Sequence, residues 1–156
     1  MKIISHRGNL SGPNPAEENN PAYILAALSE GFDVEVDAWF IDEHFYLGHD
    51  EPKFQVDSQF LAKRELWCHA KNYSALFELM KIDAQCFWHQ EDDLTITSSG
   101  FIWTHSKNPY SCNKSVHCWI DGKGVMPSGG YGVCTDYVYL AKNALNAKNR
   151  DGNFLE

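Results

Sequence analysis

Residues 33–41, Asp-Val-Glu-Val-Asp-Ala-Trp-Phe-Ile, constrain the fold more than any other stretch of this chain. They alternate with period two and read as a strand, with Val34, Val36, Ala38 and Phe40 on its core face. Asp33, Glu35, Asp37 and Trp39 then project together from the opposite face. On pattern alone, the commoner reading is the solvated face of an amphipathic strand. That reading weakens if the sheet is parallel, because parallel sheets are covered on both faces. Inward-facing acids in such a sheet need a metal or a basic partner.

The pattern around this strand argues for a parallel sheet. Lys2–Ser5 is a short β-branched run that stops at His6-Arg7-Gly8. A turn-rich loop follows, and Pro21 suits the first position of a helix that Gly31 closes. Residues 45–49 read as a hairpin return after the turn at Asp42-Glu43-His44. Strand 66–71, helix 73–82 and strand 85–90 repeat the alternation, which points to an α/β architecture. Beyond residue 90 the candidate strands are 94–97, 101–104, 116–120 and 131–135, and a closing helix starts at Tyr137. The gaps between these strands are too short for full crossover helices, which need about a dozen residues or more. The first two candidates, separated by Ser98-Ser99-Gly100, suit a hairpin, with an irregular segment at 94–97 as the alternative.

With 156 residues, 44% apolar and 22% charged, the chain fits one globular domain over residues 1–156. A net charge of −8 argues against nucleic acid or an anionic membrane as the main partner, but not against a small anionic substrate. The five cysteines are odd in number and contain no CxxC, so neither a disulfide framework nor a zinc knuckle is expected. The apolar run at the N-terminus is too short for a signal peptide, and no segment approaches a membrane span. A cytoplasmic protein with reduced thiols is expected, and its oligomeric state is left open.

His6, Arg7 and Gly8 fall at the C-terminal end of the first strand, where α/β folds carry their sites. Arginine can grip two phosphate oxygens, and glycine lets a ligand approach the backbone. His49-Asp50 follows another short strand, and His69 and Lys71 share one strand face with Trp67. Taken singly, each of these has an ordinary structural reading. Their order and spacing are more specific. His-Arg-Gly, a proline-rich loop with Glu18-Asn19, a helix, the run Gly31 to Asp37, a turn and Gly48-His49-Asp50 strongly resemble the opening of the glycerophosphodiester phosphodiesterase family. Gly132 to Tyr137 resembles that family's closing Gly-x-x-Thr-Asp strand.

The resemblance implies a compact (β/α) TIM-type barrel, here with reduced outer helices in its C-terminal half. It implies a metal-dependent phosphodiester hydrolase of lipid metabolism acting on a small phosphodiester. His6 and His49 would be the general acid and base, and Arg7 and Lys71 would hold the phosphate. Glu35 and Asp37 would bind a divalent metal, Mg²⁺ or Ca²⁺. His69 stands where the family carries an acid, so Mn²⁺ also fits, and Glu18 is a further candidate ligand. Trp103 is a candidate for lining the substrate, with a plug of the barrel as its alternative reading. His89 carries no assignment, and His44, His105 and His117 are expected to be structural or exposed. Two other functions share this scaffold: a phospholipase D-like lyase that forms a cyclic phosphate, and a non-catalytic phospho-ligand-binding barrel.

Overall fold

The computed structural model describes residues 1–105 and 111–151. Its sheet is built around β1 (Lys2–His6), β2 (Asp33–Ile41), β5 (Leu66–Ala70), β6 (Cys86–Phe87), β8 (Ile102–Thr104), β9 (Ser115–Cys118) and β10 (Gly132–Thr135). These run parallel in the order β8-β9-β10-β1-β2-β5-β6. Three antiparallel strands extend the sheet. β3 (His44–Leu47) returns along the far half of β2, β4 (Phe54–Val56) pairs with β3, and β7 (Leu94–Ile96) pairs with β8. The β2–β3 and β7–β8 hairpins follow the sequence reading, whereas β4 is not anticipated by it. The turn before β3 places Asp42 and Glu43 at positive φ, the mirror-image geometry that matches strand twist.

The expected TIM-type barrel is corrected here. The sheet is a mixed, curled half-barrel of ten strands. Only 23% of the chain is helical, too little to place a helix behind each parallel strand. α1 (Pro21–Ser29) follows β1, α3 (Tyr73–Lys81) follows β5, and α4 (Val138–Asp151) follows β10. α2 (Ser58–Leu61) is a single turn. Among the described residues, no helix lies between β6 and β10. No strand ladder joins β6 to β7 or β8 among those residues either. Instead, the Ser98 N–H donates to the Cys86 carbonyl and the Cys86 N–H to the Ser98 hydroxyl. The short connections explain this, because a crossover helix does not fit in them.

Packing falls on three sides. Val34, Val36 and Ala38 of β2 pack with Ile24 of α1 and Ala75 and Leu79 of α3. Ile3 and Val133 pack under Val138 and Ala141 of α4. On the concave face, Ile4, Trp67, Phe87, Trp103, Val116 and Cys134 come from six strands and form one cluster. Such convergence requires the sheet to curl. It also decides the question posed by β2: Glu35 and Asp37 are 3% and 0% exposed, so their face is not solvated. No helix of the described chain is long and apolar enough to cross a membrane.

Candidate functional site

The first strand ends in a tight turn. Arg7 takes φ 54° and Gly8 φ 93°. A β-carbon at Gly8 would press on Tyr23 at 2.7 Å, so the turn can close onto α1 only as glycine. The turn sends His6 and Arg7 over the concave face beside Glu35 and Asp37. The loop before α1 supports them from behind. Asn19, at φ 64°, donates to Asp37 Oδ2 (3.0 Å) and accepts the Asp37 N–H (2.9 Å). Two residues with left-handed backbone at one site are strain held in place by their surroundings.

The ionic geometry is asymmetric. Asp37 is enclosed by basic side chains: Arg7 Nε at 2.9 Å, His69 Nδ1 at 3.1 Å and Lys71 Nζ at 3.5 Å. Burial opposes its ionisation, but the His69 hydrogen bond and the neighbouring positive charges hold it well below the usual carboxylate range. Glu35 has no such shell. Its Oε2 is buried without a hydrogen-bond partner, 3.9 Å from His6 Nε2, and its Oε1 lies 4.0 Å from His69 Nδ1. Burial and the charge of Asp37 push the Glu35 carboxyl upward.

His6 bonds through Nδ1 to Asp136 Oδ1 at 2.8 Å, and Asn9 donates to the same oxygen at 2.8 Å. This leaves His6 Nε2 toward the concave face. Burial disfavours the imidazolium, yet the Asp136 bond and the charge of Glu35 outweigh it and raise the His6 pKa.

A cavity of ≈ 210 Å³ opens over this arrangement. His6, Arg7, Glu35, His49, His69 and Trp103 all line it, so six of the nine expected site residues share one wall. Asp37 and Lys71 lie directly behind. His49 sits on the rim, its Nδ1 on Asp50 at 2.7 Å, and its loop is anchored by Trp39 Nε1 donating to the Gly48 carbonyl at 2.6 Å. Glu18 stands apart from the candidate metal ligands: its oxygens are engaged by Arg7 (3.1 Å) and Asn9 (2.9 Å). Trp103 is 2% exposed and stacks on Phe87 at 4.6 Å, so it forms the floor.

Sequence reasoning missed Asp136, Asn9, His89 and His105. His89 stacks between His69 (4.4 Å between ring centroids) and His105 (3.9 Å), and both His89 and His105 face the cavity. Burial and the neighbouring imidazoles lower the His89 pKa to about 4, so it is neutral near pH 7. The signal was available: His89 and His105 follow the ends of β6 and β8, the same positional cue that singles out His6.

One atom from each of Glu35, Asp37 and His69 lies within 4.8 Å of the others, which suits a single ion. The orphaned Glu35 Oε2 is the observation that favours a metal there, because a cation would supply the missing partner. Two carboxylates and an imidazole suit Mn²⁺ as well as harder ions. Compared with known proteins, the chain matches no family model, no curated protein and no solved structure.

Proposed function

We propose that this chain is a metal-dependent phosphodiester hydrolase of the glycerophosphodiester phosphodiesterase type. The observation that carries the reading is the buried, unpartnered Glu35 Oε2 in a cavity that His6 and His49 also line. Glu35, Asp37 and His69 would hold the divalent ion, with Glu35 the ligand that needs the least rearrangement. Bound there, the ion would neutralise phosphodiester charge and polarise the phosphoryl oxygen. The residues do the rest. Arg7 and Lys71 add positive charge beside the non-bridging oxygens. His6 is fixed by Asp136 in the tautomer that carries its proton on Nδ1 in the neutral form, so Nε2 takes or gives the reacting proton. His49, across the mouth, performs the complementary transfer. The aromatic floor of Phe87 and Trp103 keeps the inner end dry.

A second reading, a phospho-ligand-binding protein without turnover, has one feature in its favour. Asp37 is already compensated by Arg7, His69 and Lys71, so this acid does not need a metal.

Phosphorus NMR of glycerophosphocholine with Mn²⁺, Mg²⁺ or Ca²⁺ tests both readings. Expected is metal-dependent turnover, lost with chelator and lost in folded His6→Ala and His49→Ala. A persistent cyclic phosphate would identify the lyase outcome. Turnover by His6→Ala would overturn the assignment, and wild-type inactivity with all three metals would leave the binding reading.

A further inference from the structure

We propose that Cys118 and Cys134 form a dithiol site, in the wall of the same cavity, for a soft two-coordinate cation of the copper(I) class. The two cysteines are register partners on the parallel strands β9 and β10, and both line the cavity. Register partners on adjacent strands sit about 4.8 Å apart, with side chains on one face. Two side chains on one face at that strand spacing can close on one ion from both sides, since two metal–sulfur bonds of about 2.3 Å each span about 4.6 Å. Trp103 lines the same cavity and so places a fluorophore at the site.

Loading breaks two S–H bonds and forms two S–metal bonds. Both protons leave to solvent and no electron is transferred. The resulting anionic bis-thiolate shares its cavity with Arg7, whose charge favours it, and with Glu35, whose charge opposes it. Donor hardness separates this site from Glu35, Asp37 and His69, whose oxygen and nitrogen atoms suit harder ions.

The fold supplies its own control. Cys68 and Cys86 are also register partners, on β5 and β6, but both are buried in the apolar core beneath α3, and Cys68 Sγ donates to the Leu61 carbonyl at 3.8 Å. They have the spacing without the opening. Cys112 has partial exposure without a second cysteine in register.

Anaerobic titration of the full chain with copper(I) against bicinchoninate, followed by tryptophan fluorescence, tests the site. One equivalent is expected per chain. Cys118→Ser and Cys134→Ser should each weaken binding by more than about 100-fold, beyond the loss of a supporting contact. Cys68→Ser, Cys86→Ser and Cys112→Ser should bind as the wild type does. A wild type that binds no better than the Cys118→Ser/Cys134→Ser double variant overturns the proposal. So does undiminished N-ethylmaleimide labelling of Cys118 in the copper-loaded wild type, a readout that needs no variant. Neither result depends on phosphodiesterase activity.

Discussion

Glu35→Gln is expected to stabilise the metal-free protein. The carboxylate is 3% exposed, and its Oε2 has no hydrogen-bond partner. The imidazoles of His6 and His69 lie 3.9 and 4.0 Å away, which returns part of the desolvation cost but not all of it. The direction is set by burial and by the charge of Asp37, which together raise the Glu35 pKa. Leaving a buried polar group unsatisfied costs about 1–3 kcal/mol. Glutamine keeps the shape and removes the charge, so a gain of about 1–2 kcal/mol is expected. For a chain of this size each kcal/mol moves Tm by about 2–4 °C, giving a rise of roughly 2–8 °C.

The pH dependence follows from linkage. The folded-state pKa of Glu35 lies above its unfolded value of about 4.3. Below both values the carboxyl is neutral in both states, and variant and wild type differ little. As pH rises through the interval, the wild type loses stability and the gap opens. Urea denaturation in EDTA at several pH values reads this. Added divalent metal should then raise the wild-type Tm and leave the variant's unchanged. A variant less stable than the wild type at neutral pH in EDTA would refute the reasoning, because Glu35 would then have a partner.

Three further perturbations test the supporting geometry. Asp136→Asn removes the charge on His6 Nδ1, so the His6 pKa should fall, as read by NMR titration of the ring, and the pH profile of turnover should move the same way. Asn19→Ala deletes both bonds to Asp37 and should cost about 1–3 kcal/mol in urea denaturation, since Asp37 is fully buried. Gly48→Ala should destabilise by more than about 2 kcal/mol, because φ is 150° and the new β-carbon would collide with the Glu51 carbonyl oxygen.

Local signals were legible because they live in neighbouring residues. Alternation in β2, the mirror-image turn at Asp42-Glu43 and the Pro21 start of α1 each declare themselves within a few positions. The short gaps after residue 90 showed that outer helices were missing, but not that the sheet would stop short of a barrel. Closure depends on which strands pair, and pairing is long-range. β1 lies against β10 across the whole chain, and His6 meets Asp136 over a separation of 130 residues. Asp136 was therefore readable as a strand-end acid but not as the partner of His6.

The three inward acids of β2 carry the argument furthest. Alternation assigns them one face and one problem, that of finding a counter-charge in a covered sheet. The structure solves that problem differently at each position. Asp33 takes Lys2 Nζ at 2.7 Å and the Trp67 indole at 3.1 Å, an ordinary structural pairing at the N-terminal end of the strand. Asp37 takes two strand-end side chains, Arg7 and Lys71, together with His69. Glu35, between them, receives no hydrogen bond at its inner oxygen. Sequence spacing makes the three equivalent, and only the strands that arrive from residues 2, 67 and 69 distinguish them. An acid with bonded cations can be explained by folding alone. An acid buried at a cavity wall without one is explained by what the cavity takes in, which is why the functional reading rests on Glu35 and not on the pair.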